Sequence, residues 1–484
     1  MSAPAQTRAS RGSVNPWLVL VLICLAQFMV VLDATIVNVA LPSIQNDIGL
    51  SEANLQWIIN AYTLVFGGFL LLGGRAGDLL GRKRIFLIGL VIFTAASLLN
   101  GLAVNSGMLI GFRAVQGLGA ALISPAALSI ISTTFAEGKE RAQALAVWAA
   151  IAIGGSAVGL VLGGWLTQSF SWRWIFFVNV PVGIAAFFLS LRLVPESRDE
   201  ELHRSFDIAG AVTATGGLMA LVYAMVSADS SGWSSTKVIA FFVLSAVLLT
   251  AFFVIERRAE SPLVRLSIFR IRSLATANIS MFFAASGIFA MFFFNTLYIQ
   301  RVLGYHPLKA GLAFLPFTGG IMVSAGLAST FAPRVGVRLV AAIGLIISIL
   351  GMLLLVRLPV HGSYLPDVLP SILLTSLGMG AVFMPLTLIA TTGLDDDDQG
   401  LASGLFNTSQ QVGGSVGLAI LSTVATSRTN AFHGTDTAAL VHGFHYAFAG
   451  AAGLLVISLI VLLALLRERH VARIMNEASA PAAA

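Results

Sequence analysis

Runs of roughly 20 mostly apolar residues, the length that crosses about 30 Å of hydrocarbon, recur fourteen times along the chain, separated by short polar or charged breaks. They cover residues 17–41, 55–73, 85–103, 107–132, 142–167, 174–194, 208–228, 238–255, 274–299, 310–332, 337–358, 368–393, 400–425 and 444–466. Each predicts a transmembrane helix, because a lone segment satisfies its own backbone in lipid only as a helix. The first run follows a polar start containing Arg8 and Arg11. It is too long for a signal-peptide core and lacks a small-residue cleavage site, so it is expected to remain as a helix. The longest charged connectors, residues 195–207 and 256–273, divide the runs into six, two and six. The expected organisation is an N-terminus at 1–16, a six-helix bundle at 17–194, two extra helices with their connectors at 195–273, a second six-helix bundle at 274–466, and a tail at 467–484 that ends ASAPAAA and reads as disordered.

Composition agrees with a polytopic membrane protein: of 484 residues 57% are hydrophobic and 10% charged, where a soluble domain carries about a quarter charged residues. The 28 bases and 22 acids give a net charge of +6, which alone would suit a nucleic-acid or anionic-membrane partner. Their positions decide. With the N-terminus inside, 21 of the 28 bases fall in cytoplasmic segments, 6 in external loops, and Arg113 lies within the fourth run. That bias places both termini in the cytoplasm and makes the positive charge a matter of topology, with no nucleic-acid partner. The single cysteine, Cys24, lies in an apolar run and allows neither an intramolecular disulfide nor a thiolate metal cluster. Arginine outnumbers lysine 24 to 4, a bias common in GC-rich bacterial genomes.

The loop between the second and third runs reads GGRAGDLLGRKR, and its Gly74, Asp78, Gly81, Arg82 and Lys83 resemble the cytoplasmic signature loop of the major facilitator superfamily. LDATIVNVALP at 32–42, WIINAYTL at 57–64, WRWIFFVNVPVG at 172–183 and GLASGLFNTSQQVGGSVGLA at 400–419 narrow the resemblance to that superfamily's fourteen-span drug:proton antiporters, over nearly the whole chain. The resemblance implies an all-α fold of two six-helix bundles plus two additional transmembrane helices, embedded in the bacterial cytoplasmic membrane. It also implies export of small lipophilic compounds in exchange for protons, with the proton gradient as the energy source and no cofactor, and self-resistance to an antibiotic as one use. A monomer is expected. The nearest alternative is a proton-coupled nutrient importer. A channel would show charged rings or a carbonyl filter, a membrane enzyme would need convergent catalytic groups, and no P-loop for ATP hydrolysis is present.

Asp33 is the carboxylate placed well inside a run. Such residues cost several kcal/mol when ionised at mid-membrane and mark functional sites by default; burial and a nearby cation pull carboxylate proton affinity in opposite directions. It reads either as the proton-coupling group or as a static paired acid. Arg113 is the matching intramembrane base, within LIGFRAVQGLGAA at 109–121. By the resemblance it lies near Asp33 and supports proton transfer; otherwise it is a structural charge held by backbone carbonyls and Gln116. At 100° per residue Gln27, Thr35 and Asn38 share a helix face, while Asp33 lies about 120–140° from Gln27 and Asn38, so one face lines a cavity and the other meets neighbouring helices. In the fifth run Gly155, Gly159 and Gly163, with Gly164 beside them, form a ridge that admits close helix contact. The ridge resembles the antiporter motif, although Leu160 replaces its proline, and generic packing explains it equally well. In the thirteenth run Asn407, Thr408, Gln411 and Ser415 either line the cavity or bond neighbouring helices. Phe282, Phe289, Phe292 and Phe293 either stack on a substrate or face lipid. Asp395 to Asp398 read as a solvated loop, and His442 and His445 as surface residues without metal-binding spacing.

Overall fold

The structure is a computed structural model that describes residues 15–135, 138–197, 207–259, 262–391, 394 and 396–466. Among them it is helical, with no strand. The apolar runs form fourteen long helices: α1 (Pro16–Ile48), α2 (Trp57–Leu80), α3 (Arg82–Gly101), α4 (Ser106–Thr134), α5 (Lys139–Ser169), α6 (Trp174–Leu193), α7 (Ile208–Ser231), α8 (Thr236–Arg258), α9 (Arg272–Leu297), α10 (Pro307–Val335), α11 (Val337–Leu355), α12 (Leu369–Thr391), α13 (Asp396–Asn430) and α14 (Asp436–Leu465). Thirteen are long and apolar enough to cross a membrane by length and composition. The fourteenth, α13, is 35 residues long, and the amides and hydroxyls in NTSQQ dilute its apolar character. It packs on α2, α7, α9 and α14, so protein rather than lipid receives much of its surface.

Caps explain where several helices begin. Asn15 accepts from Trp17 N ahead of Pro16, which needs no hydrogen bond at a first helical position. Asn105, Asp207, Ser235 and Thr435 cap α4, α7, α8 and α14 in the same way. Helices outrun the apolar segments where polar residues continue the same backbone: α1 reaches Ile48, and α14 begins at Asp436 instead of 444. Two expectations are corrected. Glu256, assigned to a connector, lies in the last turn of α8, is 4% exposed and accepts from Val264 N at 3.1 Å. His442 and His445 are half-buried rather than free on the surface: His442 lies 4.6 Å from the Phe432 ring, and His445 Nε2 is 2.7 Å from Leu358 O. The ASAPAAA tail and Asp395 lie outside the described residues; Asp396 opens α13.

In the first bundle α1 packs on α4, α5 and α6, while α2 and α3 flank α4. In the second, α9 packs on α13 and α14, and α12 on α10 and α11. Glycines set these approaches, since close contact in lipid depends on small residues. A Cβ at Gly155 would meet Phe28 and Val31, one at Gly159 would fall on Thr35, and one at Gly163 on Ile36, so the α5 ridge fits against α1. With Leu160 in place of proline, α5 runs unbroken. Gly413 and Gly417 bring α13 onto Phe282 and Ser286 of α9 in the second bundle.

The bundles meet along two flanks. On one, α5 faces α10: a Cβ at Gly164 would lie 2.5 Å from Pro307 O, and Gly311 sits against Leu160 O. This contact is at the far face, opposite the N-terminal end of α1, where Gln300 Nε2 also donates to Val39 O at 2.8 Å. On the other flank α2 faces α13: Thr63 and Ser415 hydroxyls are 2.5 Å apart, and Thr408 Oγ1 donates to Gly67 O at 3.1 Å. Helix α7 lies over this second flank. Thr215 fills the space beside Gly68 of α2, Thr423 of α13 donates to Met225 O at 3.2 Å, and Trp57, Leu64, Val222, Val226, Val412 and Val416 form one apolar cluster.

Candidate functional site: a buried ion pair in the first bundle

Halfway along α1, Asp33 is fully buried, and α4 brings Arg113 against it: Arg113 Nη1 lies 2.5 Å from Asp33 Oδ2, with the two side chains 1% and 0% exposed. A charged pair stays in such a place only when most of its remaining donors and acceptors are met. Arg113 Nε and Nη1 and both Asp33 oxygens are. Arg113 Nε donates to Ile58 O at 3.0 Å, and Nη1 also reaches Gln116 Oε1 at 2.9 Å. Gln116 Nε2 donates to Asp33 Oδ1 at 2.8 Å, and Asn179 Nδ2 to the same oxygen at 3.0 Å. Around them Asn100 Nδ2 donates to Gln116 Oε1 at 2.8 Å, and Ser97 Oγ accepts from Asn179 at 3.1 Å while donating to Phe176 O at 2.9 Å. The Tyr62 ring covers the guanidinium at 4.2 Å, within cation–π range. Every one of these partners belongs to α1, α2, α3, α4 or α6. The acid therefore sits inside the first bundle rather than between the two bundles.

Asp33 and Arg113 are thus brought together across 80 residues of sequence. Asn179, Ser97 and Asn100 were not singled out from the sequence. The signal for Asn179 was present, in the NVPVG of α6; Ser97 and Asn100 lie on an otherwise apolar helix and gave none. On α1 the Thr35 face meets Gly159 of α5, and Asp33 points to α4 and α6.

The signature loop lies at the face carrying the N-terminal end of α1. Asp78 pairs with Arg82 at 2.9 Å, and Ser129 Oγ is 3.4 Å from the same oxygen. Gly81 has a φ of +110°, which a side chain would strain, and its turn lets Glu196 accept from Lys83 N at 3.2 Å while Arg82 N donates to Ser197 O at 2.9 Å. Lys83 Nζ reaches Leu191 O at 2.8 Å, and Gly74 sits over Pro125. The partners of Asp78, Arg82 and Ser129, are both in the first bundle, and Glu196, in the charged connector after α6, ties the loop to the end of that helix.

Of the suggested cavity residues, Gln27 is 7% exposed with its Oε1 unpartnered, Asn38 donates to its own helix at Ala34 O and Thr35 O, Asn407 is exposed and bonds to Ser403 O, and Gln411 is half-buried beside Gly67. Thr408 and Ser415 bond α2 instead. Phe282 and Phe289 pack on Gly413 and Gly414, Phe292 lies 4.6 Å from Phe317, and Phe293 is buried, so these rings serve helix packing.

The class defined by this fold is a polytopic membrane transporter, and residues 23–418 match the family model of the Major Facilitator Superfamily. The chain belongs to that superfamily. It is 41% identical to the puromycin resistance protein pur8 of Streptomyces alboniger, over 97% of this chain and 95% of that protein. It is 40% identical to the cephamycin export protein CmcT of Amycolatopsis lactamdurans, over 90% of this chain and 89% of that one. Among solved structures it resembles a bacterial homologue of the human lysosomal transporter Spinster, in an inward-facing and unoccupied conformation, with a TM-score of 0.65, 17% identity, and coverage of 95% and 98% of the two chains; that likeness concerns the fold.

Proposed function

We propose that the protein is a proton-coupled exporter of small lipophilic compounds across the bacterial cytoplasmic membrane, with both termini in the cytoplasm and the proton gradient as its energy source. One observation carries the coupling: Asp33, the acid at mid-membrane, is enclosed with Arg113 in a network of donors. A carboxylate so placed gains or loses a proton only when the surrounding helices shift, and that dependence is what links a proton to a conformational cycle. Arginine stays charged and therefore poises the acid without titrating itself. The resistance and export named for the two relatives favour the outward direction and a drug-like substrate, with self-resistance as one use. With no second buried acid beside Asp33 among the described residues, neutral and monocationic lipophilic compounds fit better than dications, since apolar contact is not directional.

Uptake of a panel of such compounds into inverted vesicles, with and without a proton gradient, tests the proposal. Gradient-dependent uptake by the wild type, lost in Asp33→Asn with binding of neutral compounds largely kept, is expected. Undiminished proton-driven uptake by Asp33→Asn would remove Asp33 from the role.

A further inference from the structure

Around Asp33 the polar contacts are all of one kind. Oδ2 faces Arg113 Nη1, and Oδ1 faces Gln116 Nε2 and Asn179 Nδ2. Three donors suit a carboxylate ion. They do not suit a carboxylic acid, which must itself donate through its new O–H. Protonation therefore requires one neighbour to turn from donor to acceptor. Arg113 has no acceptor atom, so it cannot receive a proton carried on Oδ2. Gln116 has one, but it is held: its Oε1 already receives Asn100 Nδ2 at 2.8 Å and Arg113 Nη1 at 2.9 Å, and turning the amide would set its NH2 group against two donors. The Tyr62 hydroxyl is buried and has no hydrogen-bond partner, so it is not linked to the carboxylate. Asn179 is different. Its Nδ2 is shared between Asp33 Oδ1 and Ser97 Oγ, and the serine hydroxyl, which now donates to Phe176 O, can instead donate to an oxygen placed where that nitrogen stands.

We propose that Asn179 is the proton-sensing partner of Asp33: when a proton from water adds to Asp33 Oδ1, the Asn179 amide turns over and its carbonyl accepts the new O–H. Ser97 then rotates to donate to the same carbonyl and releases Phe176 O, in the first turn of α6. No bond other than the O–H forms, no electron moves, and Gln116 stays as it is. The state of the acid is thereby handed to α6. This inference rests on the reading of Asp33 as the proton-coupling group.

Infrared difference spectra between acid and alkaline pH test it, using purified protein in lipid with asparagine carbonyls labelled with carbon-13. The expected result is a carboxylic band that disappears in Asp33→Asn, accompanied at the same midpoint by a labelled asparagine carbonyl band that also disappears in that variant. In Asn179→Leu the carboxylic band should move to higher wavenumber as its O–H loses the acceptor, and Asn179→Gln should move it back. The wild-type label needs no variant at Asn179, so the test survives if Asn179→Leu fails to fold. A carboxylic band that titrates with no asparagine signal, or one unmoved by Asn179→Leu, overturns the proposal. If Asp33→Asn removes no band and leaves proton-driven uptake intact, the coupling role of Asp33 fails first and the switch falls with it.

Discussion

Arg113 meets three kinds of acceptor at once: the Asp33 carboxylate, the Gln116 amide oxygen and the Ile58 carbonyl. Only a planar, multi-donor group fills all three positions. Arg113→Ala is therefore expected to lower stability by about 3–5 kcal/mol, the usual cost of stranding one member of a buried pair, and to abolish proton-driven uptake. Arg113→Lys should recover part of the stability and little of the transport. Thermal unfolding in detergent alongside vesicle uptake checks both, and proton-driven uptake at the wild-type rate in the alanine variant would contradict the role given to the pair. Asp33 and Arg113 stood out in the sequence because a charge in an apolar run is costly and therefore conspicuous. Asn179, Ser97 and Asn100 did not, because neutral polar residues are common in spans and nothing in one sequence says that positions 33, 97 and 179 converge. Helical periodicity gave the angle between Asp33 and Gln27; it could not say which neighbour each face would meet.

Among elements, the α5 helix makes two different contacts with one run of glycines. Gly155, Gly159 and Gly163 fit α1 inside the first bundle, and Gly164, the next residue round the helix, fits Pro307 and Leu308 of the second. Gly164→Val should therefore act on the contact between bundles while leaving the first bundle intact. We expect it to disfavour the arrangement in which the far face is closed by about 1–3 kcal/mol, the range for overpacking, seen as a longer spin-label distance between the far ends of α5 and α10 and as slower transport. Gly154→Val, with nothing within 4 Å of the added Cβ, should change neither, and an unchanged distance in Gly164→Val would show that the far face is not held by this contact. The ridge was legible from its spacing. The division of labour within it was not, since Gly163 and Gly164 differ only in which helix lies opposite. The polar face of α13 was legible as a face, yet its Thr408 and Ser415 bond α2 rather than line a cavity, because a hydroxyl in a span is satisfied as well by a facing backbone as by water.

For the molecule as a whole, the fourteen helices and the skew of bases towards one side predict that both chain ends and the signature loop share the cytoplasmic face. Reporter fusions at the C-terminus and in the loop after Ser231 should report inside and outside respectively; an external C-terminus would overturn this topology. Helix number was legible because hydrocarbon thickness fixes the length of each run, whereas the location of α7 was not, because an apolar helix carries no mark of which flank it covers. That location has a consequence in the plane of the bilayer. The α2–α13 flank is three helices thick, with α7 binding to both bundles, while on the α5–α10 flank no described helix bridges the two bundles. A compound dissolved among the lipid tails therefore meets two unlike walls, one lined by a third helix and one closed only by helices of the two bundles themselves. The carrier is lopsided within its membrane as well as across it, and a neighbouring protein resting on the α7–α8 side would leave the thinner wall facing free lipid.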